Sequence, residues 1–152
     1  MADYEFVTEW RIEAPVDAVW AAIFDSLRWP EWWRAVRRVE ELLPGDADGI
    51  GNVRRYTFRS VLPYNLVFDM RTTRLEPLRA LDGTASGELA GEGRWRLTAD
   101  AGGTLVRYEW DVSTTQAWMN LLAPLARPVF TWNHEVVMRQ GEAGLRRYLG
   151  VT

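Results

Sequence analysis

Residues 128–149, PVFTWNHEVVMRQGEAGLRRYL, form the longest helical pattern in the chain and largely decide its fold. The charged face of this predicted helix consists of Glu135, Arg139, Glu142 and Arg146. The apolar face consists of Phe130, Val137, Gly141, Gly144 and Tyr148, flanked by His134 and Leu145. Each glycine costs a helix roughly 1 kcal/mol against alanine. Two glycines on the apolar face therefore predict either close approach of a strand or space left for a ligand.

The chain before this helix consists mainly of strand patterns. In residues 4–13, apolar and charged side chains alternate, which is typical of a half-buried antiparallel strand. Two short helices are predicted next, at residues 16–25 and 30–33. Six more strands are predicted at residues 36–42, 52–60, 65–76, 80–89, 93–99 and 105–113. Strands that follow one another without intervening helices indicate an antiparallel meander, so we expect an α+β fold.

Composition restricts the class of protein. A chain of 152 residues without cysteine suits one domain, residues 1–152, in a reducing compartment, and we expect a cytoplasmic protein. The start lacks a secretory signal, and no stretch reaches the roughly 18 apolar residues of a membrane span. A net charge of −3 disfavours nucleic acid as a partner, so Arg34, Arg37 and Arg38 are interpreted as a solvated face. We expect a monomer or a homodimer.

Several short motifs follow one another in a characteristic order. They are Ile12-x-Ala14-Pro15 before Val19-Trp20, Trp29-Pro30 before Trp32-Trp33, Gly49-x-Gly51, Gly103-Thr104-Leu105-Val106 and Met138-x-x-Gly141-x-x-x-Leu145-x-x-x-Leu149. Together they resemble the START-like superfamily known as SRPBCC, particularly its polyketide cyclase/dehydrase branch, over essentially the whole chain. The resemblance implies a helix-grip fold. In that fold a curved antiparallel sheet of about six or seven strands wraps around a long C-terminal helix, with two short helices after the first strand.

The same resemblance implies a pocket between the concave face of the sheet and the C-terminal helix. Relatives bind lipids, sterols, polyketides and other apolar molecules there. Some of them cyclise or dehydrate the ligand, and others only carry it. The family has no shared catalytic signature, so no catalytic role is transferred to a residue of this chain. We therefore expect a hydrophobic small molecule as the partner, and no cofactor.

Strand alternation and helix facing predict which side chains line this pocket. The predicted ligand-binding residues are Phe58, Phe68, Met70, Thr72, Trp95, Trp110, Phe130, Val137, Met138 and Gly141. The candidate catalytic residues are His134, Tyr56 and Tyr108. His134 is the chain's one histidine, and an imidazole that titrates near neutrality suits general acid–base catalysis. The alternative is a structural histidine that a carboxylate or a backbone carbonyl satisfies.

Three functions remain open at this stage. The first is a cyclase or dehydratase that uses His134 as acid or base, assisted by Tyr56 or Tyr108. The second is a non-catalytic carrier or sensor of a hydrophobic ligand. The third is a docking module that uses the apolar residues Trp118, Met119, Leu121, Leu122 and Pro124, although we interpret that segment as a pocket lid or as core packing. With one histidine and no cysteine, no nitrogen- or sulfur-rich metal site is predicted.

Overall fold

The computed structural model describes residues 3–115 and 123–151, and the helices and strands follow the predicted order. The elements are β1 (Asp3–Ile12), α1 (Val16–Phe24), a 3-10 helix (Ser26–Glu31), β2 (Val36–Leu43), β3 (Val53–Phe58), β4 (Leu66–Glu76), β5 (Ala80–Gly87), β6 (Leu89–Asp100), β7 (Gly103–Thr114) and α2 (Ala123–Tyr148). Within the described residues, no helix has the length and hydropathy that a membrane crossing requires.

The strands form one antiparallel sheet. In the described part of the chain it has seven strands, in the order β1-β7-β6-β5-β4-β3-β2. From β2 to β7 each strand pairs with the next one along the chain, whereas β1 pairs with β7 and places Phe6 opposite Trp110. A register shift between Thr72 and Arg74 interrupts the β4–β5 ladder, and such irregularities bend a sheet. The curved sheet with its long C-terminal helix confirms the predicted helix-grip fold.

Residues 87–93, GELAGEG, differ from the prediction. We predicted a gap between strands up to Gly93, but β6 begins at Leu89. A Cβ atom on Gly91 would lie 2.0 Å from the carbonyl oxygen of Asp111, and one on Gly93 would lie 2.6 Å from the Tyr108 hydroxyl. Both positions lie within β6. They are glycines because β7 and its side chains come too close for a side chain at either position.

Two further differences concern helices that contain proline. We predicted that Pro128 opens the last helix, but α2 begins at Ala123 and contains Pro128. Proline removes a single backbone hydrogen bond, and a long helix can accommodate that loss as a local kink. The helix predicted at residues 30–33 is instead the 3-10 helix Ser26–Glu31, which contains Pro30. The predicted lid at residues 118–122 lies outside the described residues, as does the Pro124 side chain.

The two glycines of α2 bring the helix against the tryptophan-rich core. A Cβ atom on Gly144 would lie 1.7 Å from the carbonyl oxygen of Trp32. A Cβ atom on Gly141 would lie 2.7 Å from the rings of Trp10 and Trp33. The Trp33 indole then donates a hydrogen bond of 2.8 Å to the Val137 carbonyl of α2. Close packing therefore accounts for both glycines.

Side chains of α2 also satisfy the outer backbone edge of β1. The Arg127 guanidinium donates to the carbonyl oxygen of Asp3 at 2.8 Å. At the other end of the strand, the Glu142 carboxylate accepts from the Arg11 backbone N–H at 3.1 Å, and Arg146 donates to the Arg11 carbonyl at 2.8 Å. Glu142 and Arg146 pair with each other at 3.2 Å. The helix is thus anchored to the edge strand at both ends of β1.

Candidate functional site

A cavity lies between the concave face of the sheet and α2. Its volume is about 190 Å³, far above the roughly 10–15 Å³ that one buried water needs. The lining includes all three candidate catalytic residues and nine of the ten predicted ligand-binding residues: His134, Tyr56, Tyr108, Phe58, Phe68, Met70, Thr72, Trp95, Trp110, Phe130, Val137 and Met138. Their roles toward a ligand stay predictions.

Gly141 is the exception, because the structure places it outside the cavity wall. The residue does not line the cavity but faces the rings of Trp10 and Trp33, from which an added Cβ atom would lie 2.7 Å. Of the two interpretations of the helix glycines, close approach of a neighbour therefore applies and space for a ligand does not. The sequence could not separate them, since both place a small residue on the apolar face.

Aromatic rings make up most of the sheet side of the cavity. Tyr108 stacks on Trp95 with ring centroids 4.0 Å apart, and on Trp110 at 5.9 Å. Phe68 stacks on Tyr56 at 5.8 Å and on Phe58 at 5.6 Å. Rings in such offset arrangements hold one another in place and present flat apolar faces. The wall is therefore suited to contact with another ring system.

The polar groups at the α1 end of the cavity are paired with one another. The Tyr56 hydroxyl donates to Ser26 Oγ at 2.8 Å, and Arg54 donates to the same oxygen at 2.7 Å. Arg54 also pairs with Glu41 at 3.3 Å. Sequence reasoning missed Ser26 and Arg54, because Ser26 lies in the 3-10 helix and only the tertiary fold brings it to the strand that carries Tyr56.

A second polar pair lies on the strands of the same region. The Thr72 hydroxyl donates to the side-chain oxygen of Asn52 at 2.9 Å. Both residues line the cavity, and Asn52 was not predicted. Each polar group with a partner is satisfied without a ligand. The α1 end of the cavity can therefore remain empty without the free-energy penalty of unsatisfied polar groups.

His134 lies in the wall between β1 and α2. Its ring stacks on Phe6 with centroids 3.9 Å apart and planes inclined by 11°. Burial lowers the pKa of His134 to about 4, so the imidazole is neutral at pH 7. Its Nε2 is buried and has no hydrogen-bond partner in the described protein. This side chain can accept or donate a hydrogen bond at neutral pH, but it is a weak base.

The two candidate tyrosines are donors rather than bases. Burial raises the pKa of Tyr108, and the electrostatic influence of Tyr56 acts in the same direction. Burial also raises the pKa of Tyr56, against the opposing effect of its hydrogen bond with Ser26. Both hydroxyls therefore keep their protons at neutral pH. Among the candidate residues, only His134 could take up a proton from a ligand.

Some lining residues were not among the predicted site residues. Tyr4 and Phe6 of β1, Ser60 in the β3–β4 connection and Asn133 of α2 all belong to the cavity wall. The alternation of β1 places Tyr4 and Phe6 on its apolar face, so that signal was available. Within residues 3–115 and 123–151, no group of three or more His, Asp or Glu side chains is placed to hold a metal ion.

Comparisons with known proteins agree with this architecture. Residues 4–150 match the family model described as polyketide cyclase / dehydrase and lipid transport. No curated relative matches the chain by sequence.

Among solved structures, the ZhuI aromatase/cyclase from Streptomyces sp. R1128 is similar at a TM-score of 0.79 and 20% identity, over 98% of this chain and 94% of that one. TTHA0849 from Thermus thermophilus gives 0.74 and 18%, over 93% and 97%. A START superfamily protein from Mycobacterium smegmatis gives 0.73 and 13%, over 96% and 98%. At these identities the structural likeness shows the fold alone.

Proposed function

The chain belongs to the polyketide cyclase / dehydrase and lipid transport family, and from this we propose that it binds an uncharged, ring-bearing apolar molecule in the cavity between sheet and α2. The observation that carries the proposal is the aromatic wall formed by Tyr56, Phe68, Trp95, Tyr108 and Trp110. Flat faces of this kind favour planar ligands through stacking and burial of apolar area.

The titration state of the wall supports an uncharged ligand. His134 is neutral at pH 7, and Tyr56 and Tyr108 keep their protons. Arg54, which also lines the cavity, is already paired with Glu41. Arg59 also lines the cavity and has no ion pair in the described protein, but it is exposed to solvent. An ion moved to the buried aromatic wall would therefore lose its hydration without gaining a buried, unpaired counter-charge. A neutral molecule avoids that cost.

Filling the cavity from α2 is expected to weaken binding at least tenfold. Val137 lines the cavity and Val136 does not, so Val137→Phe and Val136→Phe form a matched pair. The neutral fluorophore N-phenyl-1-naphthylamine, titrated into each protein, should bind wild type and Val136→Phe alike. Val137→Phe should bind at least tenfold more weakly, because the added ring occupies the space of the ligand. Equal affinity in both variants, with folding verified by circular dichroism, would contradict the proposal.

A second candidate function is cyclisation or dehydration of the bound molecule. The observation in its favour is His134, which has an unpartnered Nε2 in the cavity wall. In dehydration of a β-hydroxy ketone, His134 would take the proton from the α-carbon, which lies between the carbonyl carbon and the carbon that bears the hydroxyl group. The Tyr56 or Tyr108 hydroxyl would donate to the carbonyl oxygen as the enolate forms. The C–O bond at the β-carbon then breaks. The protonated His134 returns its proton to the departing hydroxide, which leaves as water.

The low pKa of His134 makes it a weak base, so ligand carriage remains the simpler function. Loss of water from 3-hydroxy-1-phenylbutan-1-one can be followed by the absorbance of the enone. If the protein is an enzyme of this type, wild type accelerates the reaction and His134→Gln lowers the rate roughly 10²-fold or more. Turnover that is equal in wild type and variant would exclude the proposed role of His134. Binding without any turnover would favour the carrier.

A further inference from the structure

The polar groups that line the cavity form two sets, one hydrogen-bonded within the protein and one without partners. At the α1 end, Tyr56, Ser26 and Arg54 satisfy one another, and Thr72 pairs with Asn52. Four other lining residues, three of them on β1 and α2, carry a buried polar atom that has no hydrogen-bond partner in the described protein. These atoms are the Tyr4 hydroxyl, Ser60 Oγ, Asn133 Oδ1 and His134 Nε2. The two sets distinguish the α1 end of the cavity from the part that β1 and α2 line.

Ring contacts place Tyr4 and His134 in one region, and Asn133 lies next to His134 along the chain. Tyr4 packs edge-on against Phe130 of α2 with ring centroids 6.0 Å apart, and stacks on Phe6 at 5.7 Å. Phe6 in turn stacks on His134 at 3.9 Å. Asn133 precedes His134 on the helix. Polar atoms at the start of β1 and on the first half of α2 thus border the same part of the cavity.

An unsatisfied buried polar atom destabilises a protein, and natural proteins contain few of them. Several in the wall of one ligand cavity therefore call for a common cause. We propose that the cavity binds its ligand in one orientation, with an uncharged hydroxyl-bearing end between β1 and α2, and that Asn133 selects for this hydroxyl. The inference rests on the proposed ligand binding and adds the orientation and the chemical class of the ligand.

Asn133 identifies the group that fits. Its free atom is a carbonyl oxygen, which accepts hydrogen bonds and cannot donate them. An ether or a ketone on the ligand would leave this oxygen unsatisfied. A carboxylate would bring a charge against it in a buried site. A phenol or an alcohol donates one hydrogen bond to Asn133 and can accept another from Tyr4, so it satisfies both kinds of group.

The test compares two ligands that differ only in this donor. The affinities of 1-naphthol and 1-methoxynaphthalene can be measured by quenching of tryptophan fluorescence or by calorimetry. Wild type is expected to bind 1-naphthol about tenfold more tightly, as for one well-formed hydrogen bond in a buried site. Asn133→Leu should bind both compounds with similar affinity, because it removes the acceptor and keeps the approximate size of the side chain.

Gln140 provides the matched control. It lies on the same helix and also has a buried side-chain oxygen without a partner in the described protein, but it does not line the cavity. Gln140→Met should keep the preference for 1-naphthol. Equal affinity of wild type for the two compounds, or an unchanged preference in Asn133→Leu, would overturn the inference while ligand binding stands. Failure of wild type to bind either compound or N-phenyl-1-naphthylamine would instead contradict the proposed function itself.

Discussion

Replacing Gly144 by alanine is expected to lower the free energy of unfolding by about 3 kcal/mol or more, at the upper end of what overpacking costs. The added Cβ would lie 1.7 Å from the carbonyl oxygen of Trp32. The carbonyl is part of the backbone and the Cβ is fixed directly on it, so neither can turn away as the end of a long side chain can. Relief requires α2 to move away from the segment that carries Trp32 and Trp33. Urea unfolding followed by circular dichroism measures the effect.

The sign of this effect is diagnostic. Alanine favours a helix over glycine by roughly 1 kcal/mol, so the substitution would stabilise α2 if the space were open. Ala143→Gly at the exposed neighbouring position is the control, and it should cost only that roughly 1 kcal/mol. A Gly144→Ala protein as stable as wild type would show that the helix and the core are not in direct backbone contact at this position.

Replacing His134 by phenylalanine is expected to remove a pH dependence of stability. Burial lowers the pKa of His134 from 6.5 to about 4, so the unfolded chain binds the proton more tightly than the folded one. The contribution of His134 to the free energy of unfolding is therefore greatest above pH 6.5 and falls as the pH drops toward 4. The loss through this group reaches about 3 kcal/mol. Phenylalanine keeps the stack on Phe6 and has no proton to bind.

Urea unfolding of both proteins between pH 4.5 and 7.5, roughly the window of this shift, measures the difference. The chain has one histidine, so no second imidazole contributes to the comparison. Acidic groups titrate in the lower part of the window, but they are common to both proteins and cancel in the difference. Parallel pH profiles for wild type and His134→Phe would show that the imidazole is not buried in its neutral form.

The fold was accessible from sequence because its signals are local. Alternation in β1 and in the later strands placed apolar side chains on one face, and turn residues marked most strand ends. The same alternation identified Tyr56, Phe68, Trp95 and Tyr108 as inward, and all of them line the cavity. The two-residue period of a strand and a residue's position along it suffice to assign its side chain to the inner or the outer face of the sheet.

Features that depend on a distant partner were not accessible. Gly91 was predicted to lie in a gap between strands, and only the fold shows how closely Asp111 approaches it. The pairing of Ser26 with Tyr56 joins residues 30 positions apart in different elements. The lack of a partner at the Asn133 oxygen within the described protein is a property of the whole environment, so no sequence pattern records it.

The anchoring of α2 to the outer edge of β1 has a consequence for misfolding. An unprotected strand edge is a template onto which another molecule can add a strand, and growth of this kind leads to fibrils. Arg127, Glu142 and Arg146 occupy hydrogen-bonding positions at Asp3 and Arg11 that an incoming strand would otherwise use. The helix that encloses the cavity thus also covers part of the β1 edge, and its displacement would expose both the cavity and that edge to other molecules.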